Sequence, residues 1–184
     1  MKPVDDILDL GCGDGRLTAR IGDRVHHIVG YDASPNMIAA FQSAHPHIDA
    51  RVVDCRHLAQ HISLVEGRFS KVFSNAALHW ILRDESTRLG VLKACFAALR
   101  PGGTLVAELG AHGNVAEVHA MLIGELMHRG VSPGRAIAAS PWWFPSLAAM
   151  RALAEQAGFK WIRAETELRQ TVLTDGEGGG VAGW

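Results

Sequence analysis

Short apolar runs alternate along this chain with longer segments whose apolar residues recur every three or four positions. The short runs predict six strands, with bounds 4–10, 25–31, 50–53, 71–74, 104–109 and 159–168. The helical repeat is clearest at 89–99 and at 147–157. Strands that alternate with helices are typical of parallel sheets whose strands are joined by helical crossovers. We therefore predict an α/β fold with a doubly wound, mostly parallel sheet.

Local signals mark several helix ends. Ser34 can cap a helix whose first position is Pro35, where a missing N–H costs no hydrogen bond. The sequence RPGG at 100–103 ends the first helical repeat before the fifth strand. Gly158 ends the second repeat in the same way. Both repeats are expected to pack against the core.

A glycine-rich turn follows the first predicted strand, in the sequence ILDLGCGDGRLT. Gly11, Gly13 and Gly15 stand at every second position, and glycine lets a ligand or another backbone approach the main chain closely. In an open parallel sheet, ligands bind at the carboxyl ends of the strands, where this turn is predicted to lie. A dinucleotide-binding turn would have its third glycine where Arg16 stands. Asp9, ahead of the glycines, suits a ligand that carries a positive ammonium group.

Polar residues also end the next three predicted strands. Asp32 follows the second strand, and a carboxylate there can accept both hydroxyls of a ribose. Asp54 follows the third strand and could accept a hydrogen bond from an exocyclic adenine amine. Asn75 follows the fourth strand in SNAALHW and is expected beside the glycine turn. These positions predict a site for a nucleoside at one edge of the sheet.

Composition narrows the class of protein. The 184 residues are 48% hydrophobic and 20% charged, which fits one globular domain with a sizeable core. The chain has 18 basic and 19 acidic residues and no block of like charge, so no nucleic-acid partner is expected. Its three cysteines form no CxxC pair, so we expect neither a metal site nor a disulfide. No apolar run reaches eighteen residues, so we expect no membrane span and a cytoplasmic protein.

The glycine turn and the segments that contain Asp32, Asp54 and Asn75 follow one another in an order that resembles the class I S-adenosylmethionine-dependent methyltransferases. The resemblance runs from about residue 4 to residue 109. DASPNMI, SNAALHW and LRPGGTLVAELG are similar to the branch that contains trans-aconitate and malonyl-acyl-carrier-protein methyltransferases, as are PWWFPS at 141–146 and RQTVL from 169. The resemblance implies a Rossmann-like fold and S-adenosyl-L-methionine as the cofactor.

The resemblance also implies roles at the methionine end of the cofactor. Asp9 and the Gly11 backbone would lie near the methionine ammonium group. Gly13 and Gly15 would shape the loop, and Asn75 would contribute main-chain contacts.

At the nucleoside end, the resemblance assigns the remaining cofactor-binding residues. Asp32 would hold the ribose hydroxyls. Ala33 and Met37 would flank the adenine ring, while Asp54 and Cys55 would meet its edge. Asp9 and Asp32 could also simply cap nearby backbone, Met37 could be a core residue, and Cys55 an inert thiol.

The resembled branch methylates carboxylates, so the implied acceptor is a carboxylate on a small molecule or on a carrier-bound acyl chain. Such an acceptor needs no general base, and the sequence names no catalytic residue. His79 and Trp80 would face the acceptor, and His112 and Trp143 are further substrate-side candidates. Trp143 belongs to an aromatic run whose other members, Trp142 and Phe144, could line or cover the pocket; all of these side chains could instead be packing residues.

Two alternative functions remain open. The chain could be a non-catalytic, cofactor-binding remnant of such an enzyme. A nicotinamide-dependent oxidoreductase is a further alternative, against which Arg16 and Asp54 argue.

Compared with the resembled family, the chain is expected to be short at both ends. We predict a cofactor-binding domain over 1–173, without the family's N-terminal helix or its final antiparallel strand, and a glycine-rich tail over 174–184. The sixth predicted strand would then lack a neighbour, and an unpaired sheet edge invites self-association.

Overall fold

The computed structural model describes residues 1–170 of the chain. It contains a five-stranded parallel sheet with the spatial order β3-β2-β1-β4-β5. The strands are β1 Asp6–Leu10, β2 His27–Asp32, β3 Asp49–Val52, β4 Phe69–Asn75 and β5 Leu99–Glu108. This order confirms the predicted α/β class and the first five strands. Because the strands are parallel, their carboxyl ends meet at one edge of the sheet.

Seven α-helices and one 3₁₀ helix are described between and after the strands in residues 1–170. They are α1 Arg16–Gly22, α2 Pro35–Ala44, the 3₁₀ helix Cys55–Leu64, α3 Leu78–Ile81, α4 Glu85–Ala98, α5 Ala116–His128, α6 Pro133–Ala138 and α7 Leu147–Gln156. The Ser34 hydroxyl accepts from the Met37 N–H, with Pro35 at the first helical position, as predicted. None of these helices has the length and apolar character that a membrane crossing requires.

Alternate residues of each strand pack on opposite faces of the sheet. Leu8 and Val72 belong to the larger core cluster, which also includes Leu92 of α4 and Ala154 of α7. Ile7, one residue from Leu8, belongs instead to a smaller cluster on the other face. Burial on both faces is what a parallel sheet covered by helices requires.

The sixth predicted strand is wrong, because residues 159–170 carry no strand. Phe159 and Trp161 pack against the larger core, but Ile162 is 80% exposed and Leu168 is 88% exposed. A segment with alternating apolar residues forms a strand only when a neighbouring strand pairs with it. Here only the amino-terminal end of the segment packs against the core. In the described residues β5 is therefore an edge strand, as β3 is at the other side of the sheet, and self-association through an unpaired edge stays a prediction.

The RPGG segment at 100–103 follows the end of α4, as predicted, but it lies within β5 rather than before it. Leu99 pairs with Phe69 and Thr104 with Lys71, so residues 100–103 bulge out opposite a single residue of β4. The helix ends at Ala98, as expected, but the strand already begins at Leu99. The predicted tail at 174–184 and the last three residues of the predicted domain lie outside the described residues.

Candidate functional site

The glycine turn lies at the carboxyl edge of the sheet, directly after β1. The N–H groups of Gly11 and Cys12 both donate to the Tyr31 carbonyl of β2, at 2.7 and 3.1 Å. Gly11, Gly13 and Gly15 have φ values of 75°, 56° and 80°, which side chains rarely adopt. The turn is therefore a rigid, left-handed loop held against two strands.

The three glycines differ in what surrounds them. A Cβ on Gly11 would overlap the Ala77 side chain, and one on Gly15 would overlap the Phe41 ring. Both glycines are thus explained by packing. A Cβ on Gly13 would meet no atom within 4 Å. Gly13 therefore borders open space, which is the environment expected where a ligand lies against the backbone.

Asp32 ties the glycine turn to the start of α2. Its Oδ2 accepts from the Gly13 N–H at 3.0 Å, and its Oδ1 accepts from the Ser34 N–H at 2.8 Å. Each carboxylate oxygen has a further lone pair. The side chain is half-buried, so it can hold the turn and still accept from a ligand.

Asp9 is buried beneath the turn rather than exposed to the open space. Its Oδ2 accepts from the Thr18 hydroxyl at 2.7 Å, and only 3% of the residue is exposed. Burial, together with the negative charge of Asp32, raises the pKa of Asp9 to about 6 against the hydrogen bond from Thr18. Asp9 can thus attract a cationic ligand through its charge, without touching it.

The residues predicted to meet the adenine ring occupy two different environments. Ala33 and Met37 are exposed at the start of α2, and Met37 leaves 47% of its surface uncovered. Asp54 caps the 3₁₀ helix and pairs with Arg56, whose guanidinium group keeps the pKa of that carboxyl below its usual range. Cys55 is a core side chain, and burial raises the pKa of its thiol, so only its backbone can serve a ligand.

The carboxyl ends of β4 and β5 are joined by a strained residue that the sequence did not reveal. Ala76 follows the exposed Asn75 with φ 52°, and its N–H donates to the Glu108 carbonyl at 3.0 Å and to the Glu108 Oε2 at 3.2 Å. Left-handed backbone at a non-glycine residue is costly and is found preferentially at functional sites. Glu108 ends a strand as Asp32 does, so the same rule could have identified it.

His79 is held in one tautomer beside this edge. The Gly110 N–H donates to its Nδ1 at 3.1 Å, so the neutral ring carries its proton on Nε2. Burial lowers the pKa of His79, although the nearby Glu108 opposes this shift. His79 is therefore a neutral group with one N–H to donate.

Five rings form an aromatic cluster near the carboxyl ends of β4 and β5, where the sequence predicted the acceptor side of the site. Its members are His79, Trp80, His119, Trp142 and Phe144. Trp142 and Phe144 stack at 5.6 Å with an interplanar angle of 19°, and the Trp80 ring lies 5.4 Å from Trp142.

Trp143 and His112 stand apart from the cluster. The Trp143 ring packs on the larger core beneath the Arg88 guanidinium, at 4.2 Å. The backbone N–H of Trp143 donates to the His79 carbonyl. Trp143 therefore anchors the segment 141–146 to the core, while its neighbours Trp142 and Phe144 belong to the aromatic cluster. His112 is exposed, and its backbone N–H donates to Pro145. His119 was missed because nothing in the sequence distinguishes it among ten histidines.

Comparisons with known proteins agree with this geometry. Residues 7–103 match the methyltransferase domain family. An uncharacterized methyltransferase of Schizosaccharomyces pombe is 39% identical over 173 residues, which are 94% of this chain and 66% of that protein. A trans-aconitate 2-methyltransferase of Deinococcus radiodurans is 32% identical over 114 residues, covering 60% of this chain and 40% of that protein. The chain thus spans two thirds or less of either relative.

Among solved structures, the fold is similar to a SAM-dependent methyltransferase of Methanosarcina mazei. The TM-score is 0.67 at 16% identity, and the match covers 85% of this chain and 80% of that one. At that identity the likeness bears on the fold alone.

Proposed function

The chain belongs to the class I S-adenosylmethionine-dependent methyltransferases, and from this premise we propose that it methylates a carboxylate on a small metabolite or a carrier-bound acyl chain. The observation that carries the proposal is the open space at Gly13, bordered by the Asp32 carboxylate. A glycine without a packing reason, next to a carboxylate with free lone pairs, fits a nucleoside cofactor.

The residues that end β2 and β3 are proposed to bind the nucleoside part of the cofactor. Asp32 accepts from the ribose hydroxyls through the lone pairs that the backbone leaves free. Ala33 and Met37, exposed beside it, flank the adenine ring, and Asp54 and the Cys55 backbone meet its edge.

The methionine end of the cofactor lies over the glycine turn in this proposal. The buried charge of Asp9 attracts the ammonium group and the sulfonium through a medium of low dielectric, where two charges interact more strongly than they do in water. Gly11 and Gly15 hold the shape of the turn, and the main chain at Asn75, at the end of β4, is proposed to contact the cofactor. The described chain from residue 1 onward forms the cofactor-binding domain, proposed to extend to 173.

Methyl transfer asks mainly for alignment from the protein. Bound S-adenosylmethionine would supply a methyl group on a positively charged sulfur, which an acceptor carboxylate oxygen would take up with loss of the C–S bond and its electron pair to sulfur. The residues of this chain need remove no proton. Their contribution is orientation, which can supply on the order of 7–11 kcal/mol.

The class of acceptor rests on the relatives and on the surroundings of His79. A relative from Deinococcus radiodurans is named for methylation of trans-aconitate, which is a carboxylate acceptor. The neutral His79 can donate to a carboxylate oxygen without having to accept a proton from the substrate. These two points favour a carboxylate over an amine, which would require a base.

A two-stage experiment tests the proposal with the full chain. Calorimetric titration with S-adenosylhomocysteine, and separately with NAD, should show binding of the first only. Radiolabelled methyl transfer from S-adenosylmethionine should then appear with acidic acceptors and not with amines. Binding of S-adenosylhomocysteine without transfer to any acidic metabolite or acylated carrier would favour the non-catalytic alternative, and preferential binding of NAD would overturn the proposal.

A further inference from the structure

Among the buried side-chain nitrogen and oxygen atoms of residues 1–170, one has no hydrogen-bond partner, and it lies in the aromatic cluster. It is Nε2 of His119, on α5. The His119 ring lies 6.1 Å from the Trp142 ring and 6.5 Å from the Phe144 ring, centroid to centroid. Phe144 in turn contacts His79 at 5.6 Å. The unpartnered atom is therefore one ring away from the group proposed to face the acceptor.

The start of α5 is strained in a way that bears on His119. Val115, which precedes the helix, has φ 45° and ψ 38°, and left-handed backbone is especially unfavourable for a β-branched residue. The carbonyl of Val115 accepts from the His119 N–H at 2.9 Å. Ala76 and Val115 are the non-glycine residues of the described chain with positive φ, and both adjoin the acceptor side. Such strain persists where the structure holds a particular side chain in place.

The helix that carries His119 is lightly packed. No residue of α5 is buried, and Met121 exposes 74% of its surface. A helix held by so little burial can shift by a small distance at low cost. A ligand can therefore reach the His119 ring although Nε2 is covered in this conformation.

We propose that His119 recognises the methyl acceptor, as a specificity-determining residue that hydrogen-bonds the carboxylate while Trp80, Trp142 and Phe144 contact a flat, unsaturated or aromatic body. The inference rests on the proposed function. In the Nε2–H tautomer His119 donates to one carboxylate oxygen, which leaves the other free to react. Binding removes the unfavourable burial of an unpaired polar atom, which cannot be satisfied by apolar neighbours alone.

The rings of the cluster favour a planar acceptor over a flexible chain or a polyanion. Planar π-systems gain from stacked and edge-to-face contacts that a saturated chain does not make. At this edge the Glu108 carboxylate acts on His79, and the Arg169 guanidinium, 3.6 Å from Glu108, is already matched by that negative charge. The rings and neutral His79 thus suit one carboxylate better than several.

Intrinsic fluorescence of the full chain, saturated with S-adenosylhomocysteine, tests the proposal, because Trp80 and Trp142 would report a ligand. The probes are trans-cinnamate, octanoate and trans-aconitate. The variants are His119→Phe, which keeps the ring and removes the N–H, and His119→Gln, which keeps an N–H and removes the ring. His128→Phe, an exposed position on the same helix, is the matched control.

Trans-cinnamate should bind at least tenfold more tightly than the other two probes. His119→Phe should weaken its binding at least tenfold, while His119→Gln and His128→Phe change it less than threefold. Equal binding by His119→Phe and the unaltered chain would mean that Nε2 merely holds a water molecule, and a preference for octanoate or trans-aconitate would also overturn the inference. Failure to bind S-adenosylhomocysteine is measured first and would count against the proposed function instead.

Discussion

The two sides of the proposed site are built differently, although they share one edge of the sheet. On the cofactor side, Tyr31 and Phe41 are 1% and 0% exposed, and the backbone of the glycine turn is bonded to β2. On the acceptor side, α5 buries no residue, and the chain takes left-handed conformations at Ala76 and Val115. A rigid cofactor side beside a loosely packed acceptor side suits an enzyme that binds one cofactor and selects its acceptor by adjustable contacts.

The largest expected effect is on the rigid side, at Gly15. In Gly15→Ala the new methyl group overlaps the Phe41 ring and the residue must keep φ 80°, so we expect the free energy of unfolding to fall by roughly 3–4 kcal/mol. Urea denaturation measures this change. Gly67→Ala is the control, because Gly67 has φ 62° and open space around it and should lose only the backbone contribution.

If the two glycine variants lost equal stability, the packing reason for Gly15 would be wrong. The contrast between the two sides of the site would then lose one of its supports.

Asp9 should give the next largest effect, with a defined dependence on pH. Its pKa is raised to about 6 in the folded chain from about 3.8, so its contribution to stability is complete below about pH 4 and is lost as pH rises from about 4 through 6. Asp9→Asn removes this loss and should raise the free energy of unfolding at pH 7 by on the order of 2–3 kcal/mol, with little change near pH 4.

Urea denaturation of Asp9→Asn at both pH values checks this sign. Asp14→Asn controls for loss of a carboxylate from the same turn. A variant less stable than the unaltered chain at pH 7 would contradict the burial of a charged Asp9. Asp9→Asn should also bind S-adenosylmethionine more weakly than the unaltered chain does, because the variant lacks the negative charge that attracts the positive charge of this cofactor.

Asp32 should affect ligand binding more than stability. Asp32→Asn leaves one oxygen where the carboxylate had two, and a hydrogen bond to a charged group contributes about 1.5–3 kcal/mol. We expect S-adenosylhomocysteine to bind roughly 10- to 100-fold more weakly by calorimetry. Asp49→Asn, at the start of β3 and paired with Arg51, is the control, and equal affinity in both variants would remove Asp32 from the site.

The smallest effect is expected at the strained turn on the acceptor side. Ala76→Gly relieves a left-handed alanine and should raise the free energy of unfolding by about 0.5–1 kcal/mol. Ala39→Gly, at an exposed position within α2, should lower it by about 1 kcal/mol. If Ala76→Gly also lost stability in urea denaturation, the turn would not be strained.

The sequence predicted the rigid side better than the loose one, for physical reasons. A polar residue that ends a parallel strand must lie at the ligand-binding edge, so Asp32 and the glycine turn could be placed without coordinates. That rule does not say which way a side chain points, and it did not reveal that Asp9 lies beneath the turn. Nor could it separate Gly13 from Gly11, whose neighbour Ala77 comes from a distant part of the chain.

On the acceptor side the sequence carries few such rules. Trp143 and its neighbours form one aromatic run, and only the packing of the Trp143 ring on the larger core beneath Arg88 shows that it points away from the cluster. Left-handed Ala76 and Val115 result from tertiary contacts that no local propensity encodes. The predicted strand at 159–168 failed for a similar reason, since pairing depends on a neighbour.

The most direct test of the central claim, that the open space at Gly13 is the cofactor site, is calorimetric titration of Gly13→Val and Gly67→Val with S-adenosylhomocysteine. Both glycines have left-handed backbone and open surroundings, so the two variants should lose similar stability. Gly13→Val should bind at least 100-fold more weakly than the unaltered chain, while Gly67→Val binds within about threefold of it. Normal binding by a folded Gly13→Val would show that the turn is only a tight connection, and would contradict the account.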